Sequence, residues 1–212
     1  MKVSKIRIFK IPTILKLVFP NRIWHGDRSE KEVFLTFDDG PHHEITPWLL
    51  DFAKKEGLKI NFFWLGKNTE VHQDLALQAI EDGHFIANHG FEHLNALKVR
   101  NEVYFENFRK GDNDFTFKAF RPPYGRLKNK IASEISRTHR IIMWSWLSFD
   151  WDKNVSNEKI IKKLKNQIRN GDILVFHESD KTLNRFFKLL PEVVEVLKTK
   201  GLKTASLSKL LN

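Results

Sequence analysis

The feature that most constrains the fold is a regular alternation of short apolar runs and longer amphipathic stretches. Runs such as 33–37, 60–65 and 173–176 predict buried strands, while 44–55 and 157–169 have the apolar spacing of helices. Repeated strand–helix units favour a mostly parallel sheet, open or closed into a barrel. We therefore predict an α/β fold. The other predicted strands are 84–87, 117–120, 141–146 and 203–205, and the other predicted helices are 69–81, 101–110, 129–138 and 183–200.

Chain length and composition favour a single domain with a metal site free of sulfur ligands. The chain has 212 residues, a length that fits one large domain, and no cysteine, so any metal must be held by His, Asp or Glu. The net charge of +10 favours anionic partners, although a solvated basic surface explains it equally well. No nucleic-acid-binding motif is present, so nucleic acid is not an expected partner. We expect a monomer.

The first 32 residues form a basic and apolar extension ahead of a catalytic domain that we place at 33–212. Lys10, Pro12 and Lys16 interrupt its apolar run, and no small-residue cleavage site follows, so it is a poor signal peptide. The sequence contains no run of about 18 apolar residues, so we do not expect a membrane-spanning helix. The extension either packs on the domain, which we favour, or makes peripheral contact with a membrane surface. Localisation stays open between the cytoplasm and the membrane or envelope.

Polar clusters follow five of the predicted strands. In a parallel β/α barrel the carboxyl ends of the strands lie on one face, where active sites are built. Five clusters at five strand ends would therefore converge on a single site. The clusters are Asp38-Asp39-Gly40, "NHGFEH" (88–93), "RPPYG" (121–125), "SFDW" (148–151) and "HES" (177–179).

The histidine and aspartate clusters predict a catalytic metal site. His89 and His93 are spaced i, i+4, so a helical turn would put both imidazoles on one face. Two histidines and one carboxylate, with open positions for water, form the ligand set of a catalytic divalent ion. Asp38 and Asp39 supply two carboxylates, of which one would bind the ion and the other would take a proton from the attacking water. We expect zinc, with cobalt or another divalent ion as alternatives.

The remaining clusters supply the other groups that hydrolysis of an amide or ester requires. His177 is the candidate general acid, and Asp150 is placed to hydrogen-bond it and raise its pKa. Arg121 is the candidate bidentate partner that orients the free carboxylate. The backbone N–H of Tyr124 is the candidate oxyanion donor. Each residue taken alone also has a purely structural interpretation.

Taken in order, these motifs resemble those of the polysaccharide deacetylases, carbohydrate esterase family 4, whose catalytic unit is the NodB homology domain. The resemblance covers roughly residues 33–207 and implies a distorted (β/α) barrel of about seven strands in a single domain. "TFDDG" (36–40) implies Asp38 as catalytic base and Asp39 as metal ligand, and "HGFEH" implies His89 and His93 as the other ligands. "RPPYG" implies the same roles for Arg121 and Tyr124 as above.

The last two motifs match less closely. "LSFDW" (147–151) retains Asp150 and Trp151, but Leu147 replaces the first aspartate. In "LVFHES" (174–179) the resemblance implies Leu174 as a pocket residue for the acetyl methyl and His177 as general acid. Two further departures are Gly90, where the family has Ser or Thr, and Glu178, where it has Asp.

The resemblance implies a glycan substrate and an N-deacetylase that acts on N-acetylglucosamine units of peptidoglycan, a chitin-like oligomer or an exopolysaccharide. Because Leu147 alters the fourth motif, a second hypothesis is hydrolysis of another C–N bond, as in a cyclic imide or ureide. A third hypothesis is a carbohydrate-binding protein without catalysis.

Overall fold

A computed structural model describes residues 7–211, and its sheet is parallel throughout. Seven strands are hydrogen-bonded in the order β5-β4-β3-β2-β1-β7-β6, and β8 pairs with the start of β1. The strands are β1 (Glu32–Asp38), β2 (Ile60–Trp64), β3 (Phe85–Asn88), β4 (Phe117–Phe120), β5 (Arg140–Ile141), β6 (Trp146–Leu147), β7 (Ile173–His177) and β8 (Lys203–Thr204). The α/β fold with about seven parallel strands is confirmed.

Helices connect most of these strands and cover the sheet. They are α1 (Thr13–Val18), α2 (Ile45–Glu56), α3 (Gly66–Val71), α4 (Gln73–Glu81), α5 (Asn101–Gly111), α6 (Asn129–Ile135), α7 (Asn157–Gln167) and α8 (Asp180–Thr199). The single helix predicted over 69–81 is wrong, since the structure has two helices that meet at His72. None of the helices between residues 7 and 211 is long and apolar enough to cross a membrane.

Strand β1 lies inside the sheet, between β2 and β7, and is apolar on both faces. Leu35 and Phe37 belong to the core between the sheet and the helices, while Phe34 packs in a second core with Ile173 and Phe85. Burial on both faces explains why these parallel strands are nearly continuous apolar runs rather than alternating ones. The strand therefore holds its carboxyl end, where the two aspartates lie, in a rigid position.

The strand predicted over 141–146 is wrong. The chain forms two short strands instead, β5 on β4 and β6 on β7, and these lie at opposite edges of the sheet. The residues between them cross from one edge to the other. A continuous apolar run predicts that a segment is buried, but it does not predict which strand the segment pairs with.

The segment 9–25, which we call the amino-terminal seam, lies between these two edges. Lys10 forms an antiparallel bridge with Trp146 of β6, and the backbone N–H of Leu147 donates to the carbonyl of Phe9 at 2.8 Å. Farther along, the N–H of Ile23 donates to the carbonyl of Ile141 in β5 at 2.9 Å. Phe9 is buried against Trp146. The seam thus supplies backbone partners to both edges of the sheet. Residues 1–6 of the predicted extension lie outside the described range.

Candidate active site

Asp38 and Asp39 end β1 with their carboxylates directed differently. Asp38 is the last strand residue, and Asp39 has φ 79°, in the left-handed region that non-glycine residues rarely adopt. Asp38 is 4% exposed, and it pairs in register with His177 at the end of the neighbouring strand β7. The change of backbone conformation between the two residues lets one carboxylate turn into the sheet and the other toward the β3 loop.

Arg121 fixes the carboxylate of Asp38 by a hydrogen-bonded ion pair. It is fully buried, and its Nη1 donates to Asp38 Oδ1 at 2.5 Å and to Thr36 Oγ1 at 2.7 Å. Its other nitrogens donate to the carbonyls of Ile142 and Met143, so the guanidinium is fixed on every side. The contact with Asp38 is through one nitrogen, so the expected bidentate pair is wrong. Because buried Arg121 needs its countercharge, the pair fixes the position of the Asp38 carboxylate.

His89 and His93 are brought together by a turn rather than by the helical turn that their spacing predicts. Gly90 has φ +85°, and a side chain there would meet the Asn107 amide at 2.6 Å. The position therefore requires glycine, which accounts for the departure from Ser or Thr. His89 Nδ1 lies 2.7 Å from the carbonyl oxygen of Arg121, which can only accept, so Nδ1 carries the proton and Nε2 keeps a free lone pair.

Asp39, His89 and His93 fit a divalent cation. Their ligand atoms all lie within 4.8 Å of one another, and Asp39 Oδ1 is 3.6 Å from His89 Nε2 and 3.4 Å from His93 Nε2. Asp39 Oδ1 is buried and has no hydrogen-bond partner within residues 7–211, an arrangement that a bound cation would satisfy. Burial lowers the pKa of His89, and burial followed by the neighbouring His89 lowers the pKa of His93 to about 4. Both imidazoles are therefore neutral at pH 7, the form that binds metal.

His177 and Asp150 form a hydrogen-bonded pair opposite this cluster. His177 Nδ1 donates to Asp150 Oδ1 at 2.8 Å, and the backbone N–H of His177 donates to Oδ2 at 2.8 Å. Burial lowers the pKa of His177, but the Asp150 charge and hydrogen bond outweigh it and raise the pKa to about 9. His177 is therefore protonated near neutral pH in the metal-free protein, and Nε2 is the nitrogen free to exchange a proton.

These groups surround one open cleft with a volume of about 610 Å³. Tyr124 packs its ring against His93 at 4.3 Å, and Trp151 packs edge-on against His177 at 4.5 Å. Tyr124 has φ 60°, in the turn after the two prolines. The lining residues include Asp38, Asp39, His89, His93, Tyr124, Leu147, Trp151, Val175 and His177.

The prediction that Leu174 lines the cleft is wrong. Leu174 is fully buried in the core between sheet and helices, while its neighbour Val175 lines the cleft. Successive strand side chains point to opposite faces, so a shift of one residue changes the side on which they lie. Val175 and Leu147 are the apolar residues that β7 and β6 present to the cleft.

Sequence reasoning missed several supporting residues. Asn88 accepts from the backbone N–H of Gly90 at 2.6 Å and Asn107 accepts from that of Glu92 at 2.7 Å, so both brace the histidine turn. Glu178 accepts from Trp64 Nε1 at 2.8 Å and from Thr46 Oγ1 at 2.5 Å. Asn88 directly precedes the "HGFEH" motif, which is a usable signal. Asn107, Trp64 and Thr46 lie far from any motif and become neighbours only through the fold.

The sequence profile of the polysaccharide deacetylases matches residues 25–140, more than half of the chain. The protein belongs to the polysaccharide deacetylase family. This confirms the family and the enzyme class that the motifs predict.

Relatives and solved structures agree with this assignment. A peptidoglycan-N-acetylglucosamine deacetylase of Bacillus cereus is 32% identical over 190 residues, which are 86% of this deacetylase chain and 69% of that protein. Among solved structures, the Bc1960 peptidoglycan N-acetylglucosamine deacetylase superposes with a TM-score of 0.85 at 29% identity, over 94% of this chain and 97% of that one. A family 4 carbohydrate esterase from Streptomyces lividans, solved with acetate, has a TM-score of 0.74 at 26% identity, over 84% and 94% of the two chains.

Proposed function

We propose that this protein is a metal-dependent hydrolase that removes acetyl groups from N-acetylglucosamine units of peptidoglycan, with release of acetate and a free amine. The observation that carries the proposal is the presence of a fixed carboxylate and a protonated imidazole at one cleft. Asp38 is held by buried Arg121, and His177 is held protonated by Asp150, at the ends of adjacent strands. An oriented base and a charged acid that flank one cation-binding cluster are what amide hydrolysis requires.

Asp39, His89 and His93 are the residues that would hold the cation. A divalent ion there acts as a Lewis acid, polarising the acetyl carbonyl and lowering the pKa of a water molecule. Asp38 is the base that accepts a proton from the attacking water, because Arg121 fixes its carboxylate at the cleft floor. Tyr124 lines the cleft, and we assign its backbone N–H as the donor to the oxygen on which negative charge develops.

His177 is the acid that donates a proton to the leaving nitrogen. Its Nδ1 proton is used by Asp150, so Nε2 donates. After donation, the Asp150 carboxylate keeps the ring in the orientation from which it is protonated again. Trp151, packed edge-on against His177, limits the ring's movement and forms one wall of the substrate cleft. Leu147 and Val175 provide apolar surface that suits an acetyl methyl group.

The charge of the cleft favours peptidoglycan over a neutral chitin-like glycan. Lys98, Arg126 and Lys181 are exposed residues that line this cleft and add three positive charges to it. Peptidoglycan carries carboxylates on its peptide stems, so such a cleft would attract it. The substrate in the names of the relatives, peptidoglycan N-acetylglucosamine, points the same way.

The test is acetate release by zinc-loaded protein from peptidoglycan and from chitooligomers, compared between wild type and Asp38→Asn. Loss of the base is expected to reduce turnover by about 10²–10⁴-fold while bound zinc is retained. Asp51→Asn, on the exposed face of α2, is the matched control and should release acetate at the wild-type rate. Full activity of Asp38→Asn would exclude it as the base.

Two further measurements keep the result interpretable. Asp38→Asn leaves buried Arg121 without its countercharge, so the fold of the variant is checked by circular dichroism. His177→Gln, at a less buried position, tests the same cleft independently and should also lose most activity. Acetate release from chitooligomers with none from peptidoglycan would overturn the substrate assignment, and activity on cyclic imides alone would overturn the reaction.

A further inference from the structure

Helix α1 has its apolar face turned toward solvent. None of its six residues is buried, and Ile14, Leu17 and Val18 are 62%, 71% and 58% exposed. These three residues are spaced i, i+3, i+4, so they lie on one face of the helix. Lys16 lies between them in sequence and is less exposed than they are. This inverts the usual arrangement of a surface helix, whose apolar face packs on the core. We call Ile14, Leu17 and Val18 the α1 patch.

A group of cations lies beside this helix. Asp172 is fully buried and accepts hydrogen bonds from Lys10 and Arg28. Lys16 and Arg169 lie in the same group, close enough for their charges to act on one another and on Asp172. Burial lowers the pKa of Lys16, and the positive charges of Arg28 and Lys10 lower it further. Asp172 thus pairs directly with Lys10 and Arg28. We call Lys10, Lys16, Arg28 and Arg169 the basic cluster.

Strand polarity places the patch and the cluster away from the catalytic cleft. Ile11 donates its backbone N–H to the carbonyl of Ser145, just before β6, and Asp172 directly precedes β7. These are the amino ends of the two strands, whereas Asp150 and His177 lie at the carboxyl ends. A five-residue strand such as β7 is about 16 Å long, so the length of a strand separates the two sites.

We propose that the α1 patch and the basic cluster together dock the protein on an anionic lipid bilayer. Ile14, Leu17 and Val18 insert at the level of the acyl chains, and Lys16 with Arg169 contacts the headgroup phosphates. An apolar helix face flanked by cations has the two attractions that hold peripheral helices on anionic membranes. A second copy of the chain fits less well, because a twofold interface would bring two basic clusters together.

Vesicle sedimentation tests the docking. Purified protein is mixed with sucrose-loaded vesicles of phosphatidylcholine alone, or of phosphatidylcholine and phosphatidylglycerol in equal parts. We expect binding to the anionic vesicles that weakens in high salt, since exposed charges are screened. The variant Ile14→Asn/Leu17→Asn/Val18→Asn should lower the partition coefficient at least about tenfold, because it removes the inserting apolar surface.

Two other variants separate the contributions. Val71→Asn/Leu77→Asn is the matched control: it removes side chains that are 73% and 52% exposed on α3 and α4, and should bind as the wild type does. Lys16→Gln/Arg169→Gln should lose the preference for phosphatidylglycerol.

Thermal unfolding verifies that each variant is folded. Equal vesicle binding by the wild type and the triple α1 variant would overturn the proposal. So would a wild-type dimer in sedimentation velocity that binds no vesicles and that the triple variant dissociates.

Discussion

At the scale of single residues, the backbone torsion of Asp39 separates two adjacent carboxylates. With φ at 79°, Asp39 leaves the strand direction that Asp38 follows, so Asp38 reaches Arg121 and Asp39 reaches the two histidines. A left-handed conformation at a non-glycine residue costs about 1–2 kcal/mol. The "TFDDG" sequence predicts both aspartates as site residues, but it gives no sign of this torsion.

Replacement of Asp150 by Asn is expected to lower the pKa of His177. In the wild type, burial lowers this pKa but Asp150 raises it to about 9, above its ordinary value of 6.5. Without the Asp150 charge and hydrogen bond, only the charges of Asp39 and Asp38 oppose burial, so the pKa should fall well below about 9. NMR titration of the metal-free wild type and of Asp150→Asn measures this directly.

The same pair links stability to pH. A raised histidine pKa adds stability that is fully present below pH 6.5 and is lost as the pH rises through about 9. The wild type should therefore lose its advantage over Asp150→Asn in that window. A constant difference in the free energy of unfolding between pH 6 and pH 10 would contradict the assignment.

At the scale of elements, Glu178 joins β7 and α8 to β2 and α2. Its carboxylate accepts from Trp64 at the end of β2 and from Thr46 in α2, and its backbone N–H donates to the carbonyl of Asp38. Glu178 therefore supports the aspartate turn from behind. Its length explains the departure from Asp, because the longer side chain reaches both partners.

Glu178→Gln should make stability less dependent on pH. Burial raises the pKa of Glu178 to about 7, with the Thr46 and Trp64 hydrogen bonds opposing and the charges of Asp39 and Asp38 contributing. A carboxyl group with a raised pKa costs stability as pH rises from 4.5 through 7, and a glutamine does not titrate. Relative to the variant, the metal-free wild type should lose on the order of 2–3 kcal/mol across this range.

Urea unfolding at pH 4.5 and pH 8 measures this difference. Asp51→Asn, an exposed acid on α2, is the control and should leave the pH dependence of the wild type unchanged. Identical pH profiles for the wild type and Glu178→Gln would show that the buried carboxyl group does not titrate in this range.

The strands were predicted correctly where the local apolar pattern is enough to identify them. The prediction failed where pairing with distant strands determines the structure of a segment. The strands that end at Asp38 and Asn88 were predicted to within one residue, because a buried parallel strand is a continuous apolar run. The run over 141–146 has a similar pattern, yet its two ends belong to different strands, β5 and β6, at opposite edges of the sheet. Leu174 was assigned to the cleft because a motif match carries no information on which strand face a residue occupies.

At the scale of the whole molecule, the amino-terminal seam contributes to the stability of the barrel. Phe9 is 3% exposed, and it packs against Trp146 and against Phe149 with ring centroids 5.8 and 5.1 Å apart. Phe9→Ala should therefore cost about 3–5 kcal/mol in the free energy of unfolding. Ile14→Ala, in the same segment but exposed, should change it by less than about 0.5 kcal/mol.

Denaturant unfolding of both variants measures the difference between them. A cost of less than about 1 kcal/mol for Phe9→Ala would mean that the segment is an appendage rather than part of the packed domain.

The seam also determines how this protein can be shortened. The family profile begins at residue 25, which invites a recombinant fragment that starts there. Such a fragment would lose the backbone partners that Phe9 gives to β6 and Ile23 gives to β5. Two strand edges with unpaired backbone groups are templates for pairing with other chains. The shortened enzyme would retain every residue of its cleft, but it would aggregate through the exposed edges of β5 and β6.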